Sequence, residues 1–114
     1  MARVVAVFDD LLLGSNVLGM LTAGGHDAQL SASPEQVPAD VLVVDLGSDG
    51  FDGVALMERL RGAGELEGVA TLGVYSHVHH DVKLRAEAAG FDLVVPRSRM
   101  MREGAALVEQ LART

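Results

Sequence analysis

The chain has no cysteine and no tryptophan, and only 4% of its 114 residues are aromatic. Without cysteine there are no disulfides, no thiol catalysis and no cysteine-based zinc, which suits a reducing compartment; the cytoplasm is the default location. Positive charge is also scarce. Nine Lys and Arg face sixteen Asp and Glu, giving a net charge of -7 and a pI near 4.8. Neutralising nucleic-acid phosphates needs the opposite balance, so DNA and RNA are set aside as partners. No apolar run is long enough to span a membrane, and Asp9 and Asp10 interrupt the first one, so neither a signal peptide nor an anchor is expected. Internal repeats, linkers and low-complexity tracts are absent as well.

Almost half of the residues (49%) are hydrophobic, enough for one core. A single domain over 1–114 is expected, with no room for a second, output module. Apolar runs of strand length alternate with stretches of helical period, the pattern of βα units on a parallel sheet covered on both faces. Strands are expected over Arg3–Phe8, Asp27–Ser33, Val41–Asp45, Val69–Tyr75 and Leu93–Val95, the second of them an edge strand. Helices are expected over Leu11–Ala23, Gly53–Arg61, Asp81–Ala89 and Met100–Ala112, the last with Met101, Ala105, Val108 and Leu111 facing inward. Gly24 and Gly25, Gly62 and Gly64, and Gly90 stop the first three. Between the second and third strands lie only Pro34 to Ala39, too few for a crossover helix and bracketed by prolines, so an extended or single-turn link is expected there.

Three carboxylates fall at strand ends: Asp9 and Asp10 after Val4–Phe8, and Asp45 after Val41–Val44. In open α/β sheets ligands collect where the C-terminal ends of the strands converge, and hard oxygen donors grouped there suit Mg²⁺ with phosphate oxygens and water. Strand-end aspartates also serve as plain helix caps, but three acids at two strand ends exceed what capping requires.

With these residues in place the sequence resembles a receiver domain of two-component signalling. The resemblance rests on Val7-Phe8-Asp9-Asp10, on Asp45, on Asp52-Gly53 seven and eight residues later, and on Ala89-Gly90 before the last strand. It implies a flavodoxin-like (βα)5 fold, a three-layer sandwich around a parallel sheet in order 2-1-3-4-5, with the second helix shortened or missing. It further implies Asp45 as phosphoacceptor, Asp10 as a direct Mg²⁺ ligand, Asp9 as a ligand through water and the Gly47 carbonyl as another. The implied module is a signalling protein rather than an enzyme, and its implied partner is a histidine kinase or phosphotransfer protein. A carboxylate attacking phosphorus forms an acyl phosphate, and a cation is needed because both reactants are anionic.

The chain departs from that pattern in several places. Receivers carry a Lys on the fifth strand, whereas the only Lys here is Lys83, in the helix over Asp81–Ala89. Depending on the alignment, Arg97 or Pro96 takes that place, and an Arg fork is not equivalent to an ammonium. The hydroxyl position of the fourth strand falls on Ser76 or Tyr75 in the same way, and Asp49 stands where receivers usually have Pro. Such losses suit a pseudo-receiver, which keeps the fold and works by binding another protein without phosphorylation.

Other features take a plainer reading. His77, His79, His80 and Asp81 read as a solvated loop with Asp81 as helix N-cap rather than a metal site. Arg97, Arg99 and Arg102 crowd the start of the last helix against its dipole, which makes them candidates for an anionic partner or for the phosphoryl group itself. With Met100, Met101 and Val78 they mark the face of the Asp81–Ala89 helix, the fifth strand and the last helix as a partner or homodimer surface. Met57, Met100 and Met101 otherwise read as core or interface filler rather than a cofactor box. A flavodoxin-like oxidoreductase ranks last, since the loop after the first strand is Asp-Asp-Leu-Leu-Leu and aromatic stacking residues are few.

Overall fold

The apolar runs have a direct structural outcome. The computed structural model describes residues 1–32, 34–76 and 80–113, the His80 side chain excepted. Its elements are β1 (Arg3–Val7), α1 (Leu11–Ala23), β2 (Asp27–Leu30), β3 (Val41–Asp45), α2 (Gly53–Gly62), β4 (Ala70–Tyr75), α3 (His80–Ala89), β5 (Leu93–Pro96) and α4 (Arg97–Arg113). All strands run parallel in the order β2-β1-β3-β4-β5. This is the expected flavodoxin-like sheet, with four helices among the described residues in place of five.

Valine-rich strands buried on both sides divide their side chains between two cores. Val4, Ala6, Val41, Val43, Leu72 and Val74 meet α1 and α4 through Val17, Leu21, Met100 and Val108. On the other face Val5, Val7, Leu42 and Val44 meet Val54, Met57 and Leu60 of α2 and Ala86 of α3. The missing helix between β2 and β3 is replaced by its own link. Pro34 is buried, and Val37 joins the same cluster as Val5 and Val7, so a short extended segment covers what a helix would have covered.

Several expected boundaries move. β1 ends at Val7, not Phe8; β2 ends at Leu30, with Ser33 outside the described residues; β4 begins at Ala70; and β5 takes in Pro96. The last helix differs most. It begins at Arg97 rather than Met100, and Met100, Gly104, Leu107 and Val108 are its buried members while Met101 turns outward at 38% exposure. Positions 100, 104, 107 and 108 keep the 3.6-residue period once the helix starts three residues earlier. Gly104 makes room for that register, because a β-carbon there would stand 2.6 Å from Met20 Cε. Asp81 lies inside the first turn of α3 and does not cap it. Among the described residues no helix is long and apolar enough to cross a membrane.

Polar clasps hold the N-terminal edge of the sheet. Asp92 Oδ2 accepts from Thr71 N–H at 2.8 Å and from its hydroxyl at 3.1 Å, tying β5 to β4. Asp40 Oδ2 accepts from Arg3 N–H at 2.9 Å. Buried His26 accepts from Ala2 N–H through Nδ1 and reaches Ala105 O through Nε2, which joins β1 to α4. With that edge fixed, the opposite edge carries the chemistry.

Candidate functional site

All three strand-end acids lie at the C-terminal edge of the sheet, each in a different environment. Asp10 caps α1: its Oδ1 accepts from Leu12 and Leu13 N–H, both at 3.1 Å, satisfying two of the free amides of the first turn. Asp9 is exposed, and its Oδ2 accepts a short hydrogen bond from the Ser48 hydroxyl. Asp45 is fully buried at 0% exposure. Its Oδ1 accepts from Gly47 N–H at 2.9 Å and faces Arg97 Nη2 at 3.6 Å.

Two glycines shape the ground around Asp45. Gly53 opens α2 directly over the end of β3, where an added β-carbon would sit 2.5 Å from Asp45 O. Asp52, the N-cap of that helix, accepts from Ala55 N–H at 3.0 Å. Gly47 is the floor on which the guanidinium lies: a β-carbon there would be 2.9 Å from Arg97 Nη2 and 3.2 Å from Nε. The alternatives left by the sequence separate accordingly. Tyr75 and Pro96 pair across β4 and β5, with Tyr75 packed into the α2–α3 core, while Arg97 comes to Asp45 and the Ser76 backbone lies against Gly47.

Charge is the organising feature of this pocket. A buried carboxylate without a counter-ion would carry a desolvation cost of several kcal/mol. At this distance the attraction of Arg97 is on the order of 4 kcal/mol at an effective dielectric near 20. The two effects nearly cancel, and the partial exposure of the Arg97 side chain weakens the attraction further. Arg97 therefore neutralises Asp45 more than it stabilises the fold. Hydrogen bonding is left incomplete: among the described residues, buried Asp45 Oδ2 and buried Arg97 Nε have no partner. One of them is an acceptor and the other a donor.

In this arrangement the donor set does not fit Mg²⁺. The ion wants several oxygens in near-octahedral geometry. Here Asp10 spends one oxygen on α1 and Asp9 spends one on Ser48, while a guanidinium faces the Asp45 carboxylate. No group of three acidic, imidazole or thiol side chains able to hold a metal occurs among the described residues. Gly47 meets Asp45 through its N–H and offers the guanidinium a flat backbone. His77, Val78 and His79 lie outside the described residues.

Of the basic residues singled out by the sequence, only Arg97 reaches the acids. Arg99 and Arg102 both pair with Glu103, at 3.4 and 3.1 Å. Met100, expected on the partner face, is in the core. Two participants escaped sequence reasoning. Ser48 has no motif and is recognisable only as a hydroxyl three residues after Asp45. Arg85, 3.9 Å from Asp52, flanks a neighbouring cleft of about 260 Å³ with Ser48, Phe51 and Val82.

No protein-family model and no curated protein sequence matches this chain. Solved structures do match in shape. The receiver domain of Francisella response regulator 1452 superposes with a TM-score of 0.83 at 17% identity, over 99% of this chain and 98% of that one. The receiver domain of NtrX from Brucella abortus gives 0.81 at 16%, over 97% and 98%. A signal receiver domain of a histidine kinase from Syntrophus aciditrophicus gives 0.83 at 16%, over 99% and 91%. The chain thus has the receiver fold over nearly its whole length.

Proposed function

We propose that the protein is a receiver-type signalling module that takes a phosphoryl group on Asp45. The observation that carries this reading is the pair of buried orphans, Asp45 Oδ2 and Arg97 Nε. Attack by Oδ2 on phosphorus would form an acyl phosphate as the bond from phosphorus to the donor's leaving group breaks. One phosphoryl oxygen would then accept from Arg97 Nε–H, so a single reaction satisfies both orphans. The donor would be a histidine kinase or phosphotransfer protein, consistent with the receiver fold. For access, Arg97 must swing off Gly47, a motion open to a long side chain that already reaches water.

A second reading is favoured by the complete burial of Asp45 and by the guanidinium resting on it: a pseudo-receiver that works by binding protein, without phosphorylation. On either reading the partner or dimer surface is the α3–β5–α4 face. It exposes Leu84 at 70% and Met101 at 38%, rimmed by Arg99 and Arg102. Incubation with acetyl phosphate followed by intact-mass measurement separates the two. Gain of one phosphoryl group by wild type and none by Asp45→Asn supports the acceptor; no gain in either leaves the binding module.

A further inference from the structure

We infer that the exposed face of α1 is a docking surface for a second copy of this chain, the two helices packing antiparallel about a two-fold axis. Three features of that face have no reason inside the monomer. Leu11 and Leu12, in the first turn, are 73% and 75% exposed, the most of any leucine among the described residues. Gly19 lies within the helix with nothing within 4 Å of where its β-carbon would be, so no internal contact calls for the residue least suited to a helix after proline. Finally, α1 carries no charged side chain, whereas α2, α3 and α4 each carry both signs. Local rules broken without local compensation mark a surface with another use.

The exposed residues form one stripe. Leu12, Ser15, Asn16, Gly19 and Ala23 recur at three- and four-residue steps and all face solvent, while Gly14, Val17 and Leu21 face the core. A large side chain stands at the N-terminal end of the stripe and small ones at its middle and C-terminal end. Antiparallel pairing about a point between Val17 and Leu18 therefore sets Leu12 of one copy against Ala23 of the other, and Asn16 against Gly19, twice over by symmetry. Gly19 lets the two backbones approach closely, and the two helix dipoles run in opposite directions.

Charge selects the occupant. Two copies, each with a net charge of -7, repel over most of their surfaces. A charge-free helix is where they can meet without placing like charges opposite one another, and it offers a charged partner nothing to pair with. The contact is small. A helix of 13 residues is about 20 Å long, and one such pair falls at the low end of specific interfaces, so the dimer should be weak and concentration-dependent. It is independent of the chemistry at Asp45 and separate from the α3–β5–α4 face, which stays open to another protein.

Sedimentation of wild type across concentration should show a monomer–dimer equilibrium with a dissociation constant on the order of 10⁻⁴ M. Leu12→Glu, which puts a charge into the contact, and Gly19→Gln, which adds bulk without charge, should each weaken it at least about tenfold. Leu84→Glu, at the exposed leucine of α3, should leave it unchanged. All three positions are at the surface, and circular dichroism confirms that each variant is folded. Because the chain has no cysteine, one introduced thiol reports the register. Under a mild disulfide-forming oxidant Asn16→Cys, near the axis, should cross-link to its own copy, whereas Ala23→Cys, about 16 Å from its copy at the rise of an α-helix, should not. A wild type that stays monomeric to millimolar concentration would overturn the inference. So would dimers that survive Leu12→Glu and Gly19→Gln, dimers lost in Leu84→Glu, or cross-linking at Ala23→Cys and not at Asn16→Cys.

Discussion

Arg97 Nη2 stands 3.6 Å from Asp45 Oδ1, and the arginine belongs to the first turn of a helix that starts where β5 ends. The contact ties α4 to the end of β3 across β4, so its energetics are measurable as a coupling between distant segments. Arg97→Ala should cost about 1–3 kcal/mol, below the usual penalty for orphaning a buried charge because the Arg97 side chain is one-third exposed. Asp45→Asn keeps an acceptor for Gly47 N–H and frees Arg97 to solvent, so it should stay within about 1 kcal/mol of wild type. The double variant should then be more stable than Arg97→Ala alone. Chemical denaturation of the four proteins closes the cycle; a double variant no better than the single would show that Asp45 does not depend on Arg97 for its charge balance.

Gly53 sets how closely α2 approaches the acid edge. Its missing β-carbon would meet Asp45 O at 2.5 Å and Val44 Cγ1 at 2.7 Å, one of them backbone that cannot step aside. Gly53→Ala should therefore destabilise by about 1–3 kcal/mol, despite alanine's better helix propensity. By contrast Gly19, which has nothing within 4 Å of its would-be β-carbon, should gain stability on substitution by alanine, up to about 1 kcal/mol. Opposite signs at two glycines of α1 and α2, read from urea midpoints, are the expected result.

The sheet was legible because its signal is local. Val4–Val7, Val41–Val44 and Leu72–Val74 are short, branched and apolar, and the spacing between them limits the topology. The missing helix was equally plain in the six residues from Pro34 to Ala39. Helix register in α4 was not, since the sequence suggested a start at Met100 and so turned Met101 inward. Only packing against Met20 and Gly104 decides that Met100 is the inner residue. The acids could be placed at one edge from their strands, but not their partners. That Asp10 spends an oxygen on α1, that Ser48 holds Asp9, and that Arg97 lies on Gly47 are contacts across 39 or more residues or choices among local hydrogen bonds, and one sequence carries no trace of them.

Glu109 gives a pH dependence of known sign. The Arg113 hydrogen bond, and after it the amino terminus, hold its carboxyl below the usual carboxylate range, against a smaller upward push from burial. A carboxylate depressed in the folded state contributes stability that is fully present above its unfolded pKa and is lost as pH falls through the folded value. Stability should thus decline on acidification through the Glu range in wild type, and less so in Glu109→Gln. Both partners are at the surface, so raised salt should shrink the difference. A Glu109→Gln profile identical to wild type at low salt would count against the pairing.

The α3–β5–α4 face makes the last prediction. Leu84 of α3 and Met101 of α4 are exposed apolar side chains on two helices that both pack on β5, from opposite faces of the sheet, and Arg99 and Arg102 of α4 have part of their charge answered by Glu103. An apolar centre with a cationic edge, on a chain of net charge -7, would select an acidic partner surface or the negative remainder of a second copy. Because the rim acts over distance, Arg99→Glu should slow association and reduce its salt dependence, whereas Met101→Asp should raise the dissociation rate by placing a charge in the centre. Neither change touches the core, so melting temperatures should move little. Light scattering of the free protein and binding kinetics with a candidate partner protein read both effects. Should the doubly substituted protein keep the mass and the binding rates of wild type, this face is not the one in use.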